Sequence, residues 1–249
     1  MQRYFLPEQT ATDTPLVLPA TVAHHLVTVL RAQVGTAVEV VLADHQAYQA
    51  EVVALTPATI TLTTPLTSQV ELPVTVTLAC GLPKTKEKPE LIVQKGTELG
   101  AHHFIFFESE RSVSHWDAKK VAKKLDRLQK IALGAAEQSH RTWLPTVEYR
   151  PNLAAVLQEP ADQRLVAWEE SAKQGEAAAL TQSLTSLQAG QRILALFGPE
   201  GGLTSQEVAA MTAAGFQAVG LGPRILRTET APLYFLAATS YQLELQGNL

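Results

Sequence analysis

From Val74 onward, short apolar runs alternate with helix-like segments, and this alternation constrains the fold more than any other feature of the chain. Val74–Leu82, Phe104–Phe107, Arg164–Trp168, Arg192–Phe197 and Phe216–Leu221 read as strands. Runs this short and this apolar suit strands buried on both faces. Pro89–Leu99 reads as a helix, with Pro89 tolerated in its first turn and Gly100 ending it. Ala118–Gln138 is a long amphipathic helix, with Val121, Leu125, Leu128, Ile131 and Ala135 at helical spacing. Thr204 and Glu207 form a capping-box pattern that starts a helix through Ala214. Thr230 is expected to cap a final helix, with Pro232 in its first turn, and Gln174–Gln188 reads as one more helix. Strands separated by helices build a largely parallel sheet covered on its faces. The fold class is therefore α/β.

The residues ahead of Glu71-Leu72-Pro73 follow another pattern. Ala37–Leu42, Tyr48–Leu55 and Thr59–Leu66 are rich in Val, Thr and Leu, with Asp44-His45 and Thr56-Pro57 as punctuation. A helix over Thr21–Arg31 is expected before them. A small β-barrel or sandwich over residues 1–72 and a second domain over 73–249 follow from this change of pattern.

Two glycine-rich loops stand where strands should turn into helices. One is Gly198-Pro199-Glu200-Gly201-Gly202-Leu203-Thr204, and the other runs from Leu221-Gly222-Pro223-Arg224 to Thr230-Ala231-Pro232. Glycine lets backbone approach a ligand closely, so that bare amides and carbonyls do the binding. The Gly-Lys-Ser/Thr of a phosphate loop is absent. Gly220-Leu221-Gly222 begins a dinucleotide fingerprint, but Ile225 stands at its third glycine. His102 and His103 are adjacent, so on a strand they would point to opposite faces, and no cluster has metal-ligand spacing. What remains is a pocket of main-chain groups and aliphatic side chains, suited to a heterocycle carrying little phosphate.

Charge is uneven along the 249 residues, whose net charge is −4. Residues 82–150 carry 13 basic and 9 acidic side chains, and the stretches on either side are acidic. A polyanion responds to local rather than net charge, so this middle section is the candidate nucleic-acid surface. Cys80, the only cysteine, sits in an apolar run and reads as a buried strand thiol. No segment offers the ~18 consecutive apolar residues of a membrane helix. A soluble cytoplasmic protein is expected.

The two loops, taken with Gln94–Gly100, Glu108–Val113, Ala136-Glu137-Gln138-Ser139-His140-Arg141, Arg3-Tyr4-Phe5 and the His25…Leu30-Arg31…Gly35 pattern, resemble the ribosomal RNA small subunit methyltransferase E family of the SPOUT superfamily. Pro232-Leu233-Tyr234 departs from the smaller residues common there. The resemblance implies methylation of uridine N3 in 16S ribosomal RNA, with S-adenosylmethionine as donor. It implies a PUA-like barrel that binds RNA, a SPOUT domain with a C-terminal trefoil knot, and a homodimer. Leu196, Phe197, Gly198, Gly201, Gly202, Leu221, Gly222, Leu226 and Arg227 would hold the cofactor, with Val166-Ala167-Trp168 as a far wall. Arg141, Glu200 and Arg227 are the candidates for handling the uridine. Arg3, Arg31, Lys84, Lys88, Lys119, Lys120, Lys123 and Lys124 would meet RNA phosphates, and no metal is expected. The rival readings are another SPOUT methyltransferase with a different target, and a non-catalytic RNA-binding or ribosome-assembly protein that keeps the pocket.

Overall fold

The computed structural model describes residues 1–7, 14–67, 69–169 and 178–246. The chain forms two compact units. The first comprises Met1–Glu71 together with Ala136–Leu144, and the second comprises Leu72–Ala135 and Pro145–Leu249.

In the first unit, strands β1 (Arg3–Phe5), β2 (Leu16–Val17), β3 (Ala37–Val41), β4 (Ala47–Leu55) and β5 (Ala58–Pro65) pair in the order β1-β3-β4-β5-β2. Register shifts between Gln49 and Ala50 and between Val52 and Ala54 interrupt the β4–β5 ladder. Such irregularities bend a strand and tighten its twist, so the small sheet curls. Tyr4, Leu26, Val38, Val40, Val52 and Ile60 fill its concave core. The helix expected over Thr21–Arg31 is α1 (Ala20–Ala23), which widens into a π-helical stretch over His24–Val29. Leu30 donates back to the His25 carbonyl, and Arg31 lies outside the helix with φ of 55°. Sequence reasoning missed β1 and β2, which are too short to carry a period.

The second unit is a six-stranded parallel sheet. Its strands are β6 (Thr75–Gly81), β7 (His103–Phe107), β8 (Thr146–Arg150), β9 (Gln163–Ala167), β10 (Arg192–Phe197) and β11 (Gln217–Val219), in the order β11-β9-β10-β6-β7-β8. Alternate residues of the inner strands feed two cores. Leu78, Phe104, Phe106, Ile193 and Phe197 join Ile92, Val93 and Phe235 on one side. Ala79, Ile105, Val166, Leu194 and Leu196 join Val208 and Met211 on the other. Each fully buried side chain of this size contributes about 1.5–3 kcal/mol. The helices are α2 (Glu87–Glu98), α3 (Ala118–Gln138, whose last three residues belong to the first unit), α4 (Leu153–Val156), α5 (Ala178–Thr185), α6 (Ser205–Ala213) and α7 (Thr230–Ser240). The helix expected over Gln174–Gln188 is seen as α5, and its start lies outside the described residues.

Two expectations are corrected. Thr230 does not cap α7: Glu229 holds the N-cap position, and the N–H groups of Thr230 and Ala231 both donate to the Arg227 carbonyl. Backbone turns the chain here, so Thr230 is already helical. The strand expected over Phe216–Leu221 pairs with β9 only through Gln217–Val219. Trp168 N–H donates to the Val219 carbonyl at that point, and Gly220 and Leu221 leave the sheet. The capping box on α6 forms as expected, with Glu207 N–H donating to Thr204 Oγ1 and Thr204 N–H to the Glu207 carboxylate.

Candidate functional site

The strand order decides where the two loops meet. β10 and β11 are not neighbours, because β9 pairs with both. The carboxyl ends of three adjacent strands therefore open together, the usual place for a ligand in an α/β sheet. Gly198–Leu203 follow β10, Ala167–Glu169 end β9, and Leu221–Thr228 follow β11. These segments, with Lys88, Arg111 and Ala231, enclose a cavity of about 650 Å³. That volume lies in the range of sites for small molecules and cofactors.

Two glycines need their freedom here. Gly202 has φ of 70° and Gly222 φ of 82°, the left-handed region that costs an L-residue roughly 1–2 kcal/mol. The turns expose backbone. The N–H of Gly202 is used within its own loop, donating to Pro199, and the Arg227 carbonyl is used by α7. Among the described residues, the backbone groups of Leu221, Gly222 and Leu226 make no hydrogen bond. Unpaired main-chain groups in a concave site need partners, and a heterocycle can supply them.

Of the residues expected to hold a cofactor, Phe197, Gly198, Gly201, Gly202, Leu221, Gly222, Leu226 and Arg227 line the cavity, as do Ala167 and Trp168. Leu196 and Val166 do not. Both face the core between the sheet and α6, and neither side chain is accessible.

The rim carries a three-way ion cluster. Lys88 Nζ lies 2.8 Å from Glu200 Oε1 and 3.0 Å from Glu229 Oε2. Lys84 N–H also donates to Glu200, at 3.1 and 3.2 Å. The hydrogen bond to Glu200 leads in raising the Lys88 ammonium above its ordinary value, with Glu229 adding to it. Burial alone would push the Glu200 and Glu229 carboxyls up. For Glu200 the Lys88 hydrogen bond with backbone N–H groups outweighs burial, and for Glu229 backbone N–H with Lys88 does so, leaving both below their usual range. Glu200 is thus a committed anion that ties the first loop to α2, and Glu229 ties the second loop to the same lysine. Arg111 Nη1 adds a bond to the Gly201 carbonyl at 3.2 Å. Sequence reasoning missed this role of Lys88. Only its place in the Lys84/Lys86/Lys88 cluster marked it. Arg227 lines the cavity exposed, and its guanidinium holds no hydrogen bond or ion pair among the described residues.

Arg141 is placed elsewhere. It lies in the first unit, 2% exposed, with its guanidinium on the Glu71 carboxylate. Glu71 also accepts N–H bonds from Thr142 at 2.8 Å and Trp143 at 3.0 Å. Burial would push the Glu71 carboxyl up, but Arg141 and these N–H groups hold it low. Arg3, also 2% exposed, pairs with Glu39 at 2.8 Å and donates to the carbonyls of His140 and Arg141. Neither guanidinium is presented to a ligand. Their geometry fastens Ala136–Leu144 to the small sheet. Arg31, Lys84, Lys119, Lys120 and Lys123 are exposed and Lys124 half-buried. The described residues contain no cluster of metal-ligating side chains, and none of their helices is long and apolar enough to cross a membrane.

The chain is similar to known proteins in sequence and in fold. Residues 70–240 match the RNA methyltransferase domain family, and residues 18–64 the RNA methyltransferase PUA domain family. The chain is 44% identical over 252 residues to the ribosomal RNA small subunit methyltransferase E of Bacillus subtilis (strain 168), covering 98% of each. It is 36% identical to the protein of the same name from Synechocystis sp. (strain ATCC 27184 / PCC 6803 / Kazusa), covering 96% of this chain and 76% of that one. The crystal structure of a ribosomal RNA small subunit methyltransferase E from Neisseria gonorrhoeae, bound to S-adenosyl methionine, is similar with a TM-score of 0.81 at 30% identity, over 96% of this chain and 97% of the other.

Proposed function

Because the chain belongs to the ribosomal RNA small subunit methyltransferase E family, we propose that it transfers a methyl group from S-adenosylmethionine to N3 of a uridine in 16S ribosomal RNA. The unpaired backbone of Leu221, Gly222 and Leu226, facing a cavity of about 650 Å³, is the observation that carries this reading. The residues fit the donor. Its adenine asks for main-chain donors and acceptors beside aliphatic side chains, which Leu221, Gly222 and Leu226 supply. It carries no phosphate, and the cavity has no phosphate loop.

When bound, the cofactor supplies an electrophilic methyl group on a sulfonium. The chain's own contribution is placement and charge. Gly198–Leu203 and Leu221–Thr228 would hold the donor, and the Lys88 cluster ties both loops to α2, which would restrict the orientation in which an acceptor is met. The uridine N3 proton would pass to solvent water, the N3–CH3 bond would form as the methyl–sulfur bond breaks, and the negative charge that develops on the base spreads to its O2 and O4 carbonyl oxygens. The guanidinium of Arg227, exposed to the cavity and free of a side-chain hydrogen bond among the described residues, stabilises that charge. Glu200, paired and held below its ordinary pKa, keeps the first loop in place and does not accept the proton. Lys119, Lys120, Lys123 and Lys124 on α3, with the side chain of Lys84, meet RNA phosphates, and Arg31 adds charge from the small sheet. The PUA-like unit, a trefoil knot in the last segment, a homodimer and a cytoplasmic place complete the reading. Resemblance supports them.

Labelled donor offered to small subunits lacking the modification tests the proposal. Label mapped to one uridine N3 is the expected result. Label at another atom selects a different target, and donor binding without transfer selects the non-catalytic RNA-binding reading.

A further inference from the structure

A second, smaller hollow of about 250 Å³ lies in the sheet-and-helix unit, between the start of α2 and the outer side of α3. It is too small for the methyl donor, since sites for such ligands run to roughly 300 Å³ and above. Its walls carry Lys84, Lys86, Lys124 and Arg127, with Trp116 beneath and Glu90 as the only acid. Arg127 Nε meets Glu90 at 2.7 Å, so that acid is cancelled. The three lysines form no ion pair among the described residues. Trp116 is fixed by Tyr149, stacked at 5.6 Å, and by its N–H bond to Glu108. Lys124 Nζ stands 5.0 Å from the Trp116 ring centroid, which steadies an otherwise mobile side chain. The hollow is thus a concave set of lysines with no counter-charge of its own.

It is also close to the loop cavity. Lys84 binds Glu200 of the first loop through its backbone N–H and lines the hollow, whereas Lys88 lines the loop cavity. Four residues span at most about 14 Å even when extended, so one short strand can reach both places. We infer that this hollow is a phosphate subsite for the RNA strand flanking the methylated nucleotide. Lysine ammoniums suit this as point charges, and the hydroxyls of Thr85 and Ser114 on the same walls add donors. The inference rests on the RNA methyltransferase reading above.

The test compares Lys86→Gln/Lys124→Gln with wild type, on 16S RNA or small subunits, whichever the wild type methylates. KM for RNA should rise about tenfold, the worth of one charge-assisted hydrogen bond. The slope of log affinity against log salt should flatten by about 1. The donor Kd should stay within about twofold, because binding of a phosphate-free donor does not depend on counterion release. Lys86→Arg/Lys124→Arg should restore the RNA KM. Lys130→Gln/Arg192→Gln, removing the same charge from ion pairs outside the hollow, serves as control. An RNA KM and salt slope equal to the control's overturn the subsite and leave the methyltransferase reading standing. A wild type that methylates neither substrate overturns both.

Discussion

Two ion clusters, one pairing arginines with glutamates and the other a lysine with glutamates, do opposite work in this molecule. In the small-sheet unit, Arg3 and Arg141 are buried and spent on Glu39, Glu71 and backbone carbonyls. In the sheet-and-helix unit, Lys88 forms ion pairs with Glu200 and Glu229 at the edge of a cavity, and the Arg227 guanidinium lines the same cavity without an ion pair among the described residues. The first cluster closes on itself and holds a segment. The second leaves charge and backbone open to a ligand. A charged residue in a family-like motif therefore says little until its partners are known. Arg141 lies in such a motif and is paired with Glu71, whereas Lys88 ties both cavity loops to one helix and was legible only as part of a basic cluster.

The largest expected effect separates the clusters by stability. Arg141→Ala leaves the half-buried Glu71 carboxylate without its guanidinium, though still holding the N–H groups of Thr142 and Trp143, and should destabilise the small-sheet unit by about 3 kcal/mol. Trp143, stacked on His45 at 4.2 Å, reports this in a fluorescence melt. An unchanged midpoint would return Arg141 to the list of substrate-handling residues.

Next, Arg227→Ala should lower kcat about a hundredfold, the usual scale for losing one stabilising donor. It should barely move the melting curve, since Arg227 packs no core. Steady-state kinetics beside calorimetry decide the point, and a kcat within threefold of wild type would remove the arginine from the chemistry.

Smaller still, Gly202→Val forces an L-residue into φ of 70°. At roughly 1–2 kcal/mol of strain, donor affinity should fall about tenfold. Titration calorimetry that finds wild-type affinity in a folded variant would argue against a backbone-built pocket.

The mildest test uses pH, and the regions should respond in opposite senses. Glu200 and Glu229 have depressed folded values, so their contribution is present above the ordinary carboxylate pKa and lost as pH falls through the lower folded values. Donor affinity should hold from neutral pH to about 5 and fail in stronger acid. Glu137, in the small-sheet unit, is pushed up to about 7 by burial. A carboxyl raised in the folded state binds protons that the unfolded chain releases. The unit should therefore lose stability as pH rises from 4.5 to about 7. Glu137→Gln should flatten that decline, and a melt series that keeps its slope would dissociate Glu137 from it.

Much of this was readable in advance. Alternating apolar runs gave the parallel sheet because a strand buried on both faces has no polar alternation to confuse with anything else. The periodicity of Ala118–Gln138 fixed α3 to the residue. Loop glycines marked the cavity because φ near 70–80° excludes most other residues. Short elements such as β1, β2 and α4 escaped, since two to four residues hold no period. The expectation for Leu196 concerns its main chain; its side chain faces the core while that of Phe197 faces the other way, because neighbours on a strand alternate.

By itself, then, the sequence determined the local units: which runs are strands, which faces are apolar, and where backbone must turn. Those are set by side chains within a few residues of one another. Only the tertiary structure placed β9 between β10 and β11, brought Lys88 to two loops more than a hundred residues away, and spent Arg141 on Glu71. Those outcomes depend on which distant partner satisfies each buried charge and each strand edge, and no local pattern carries that information.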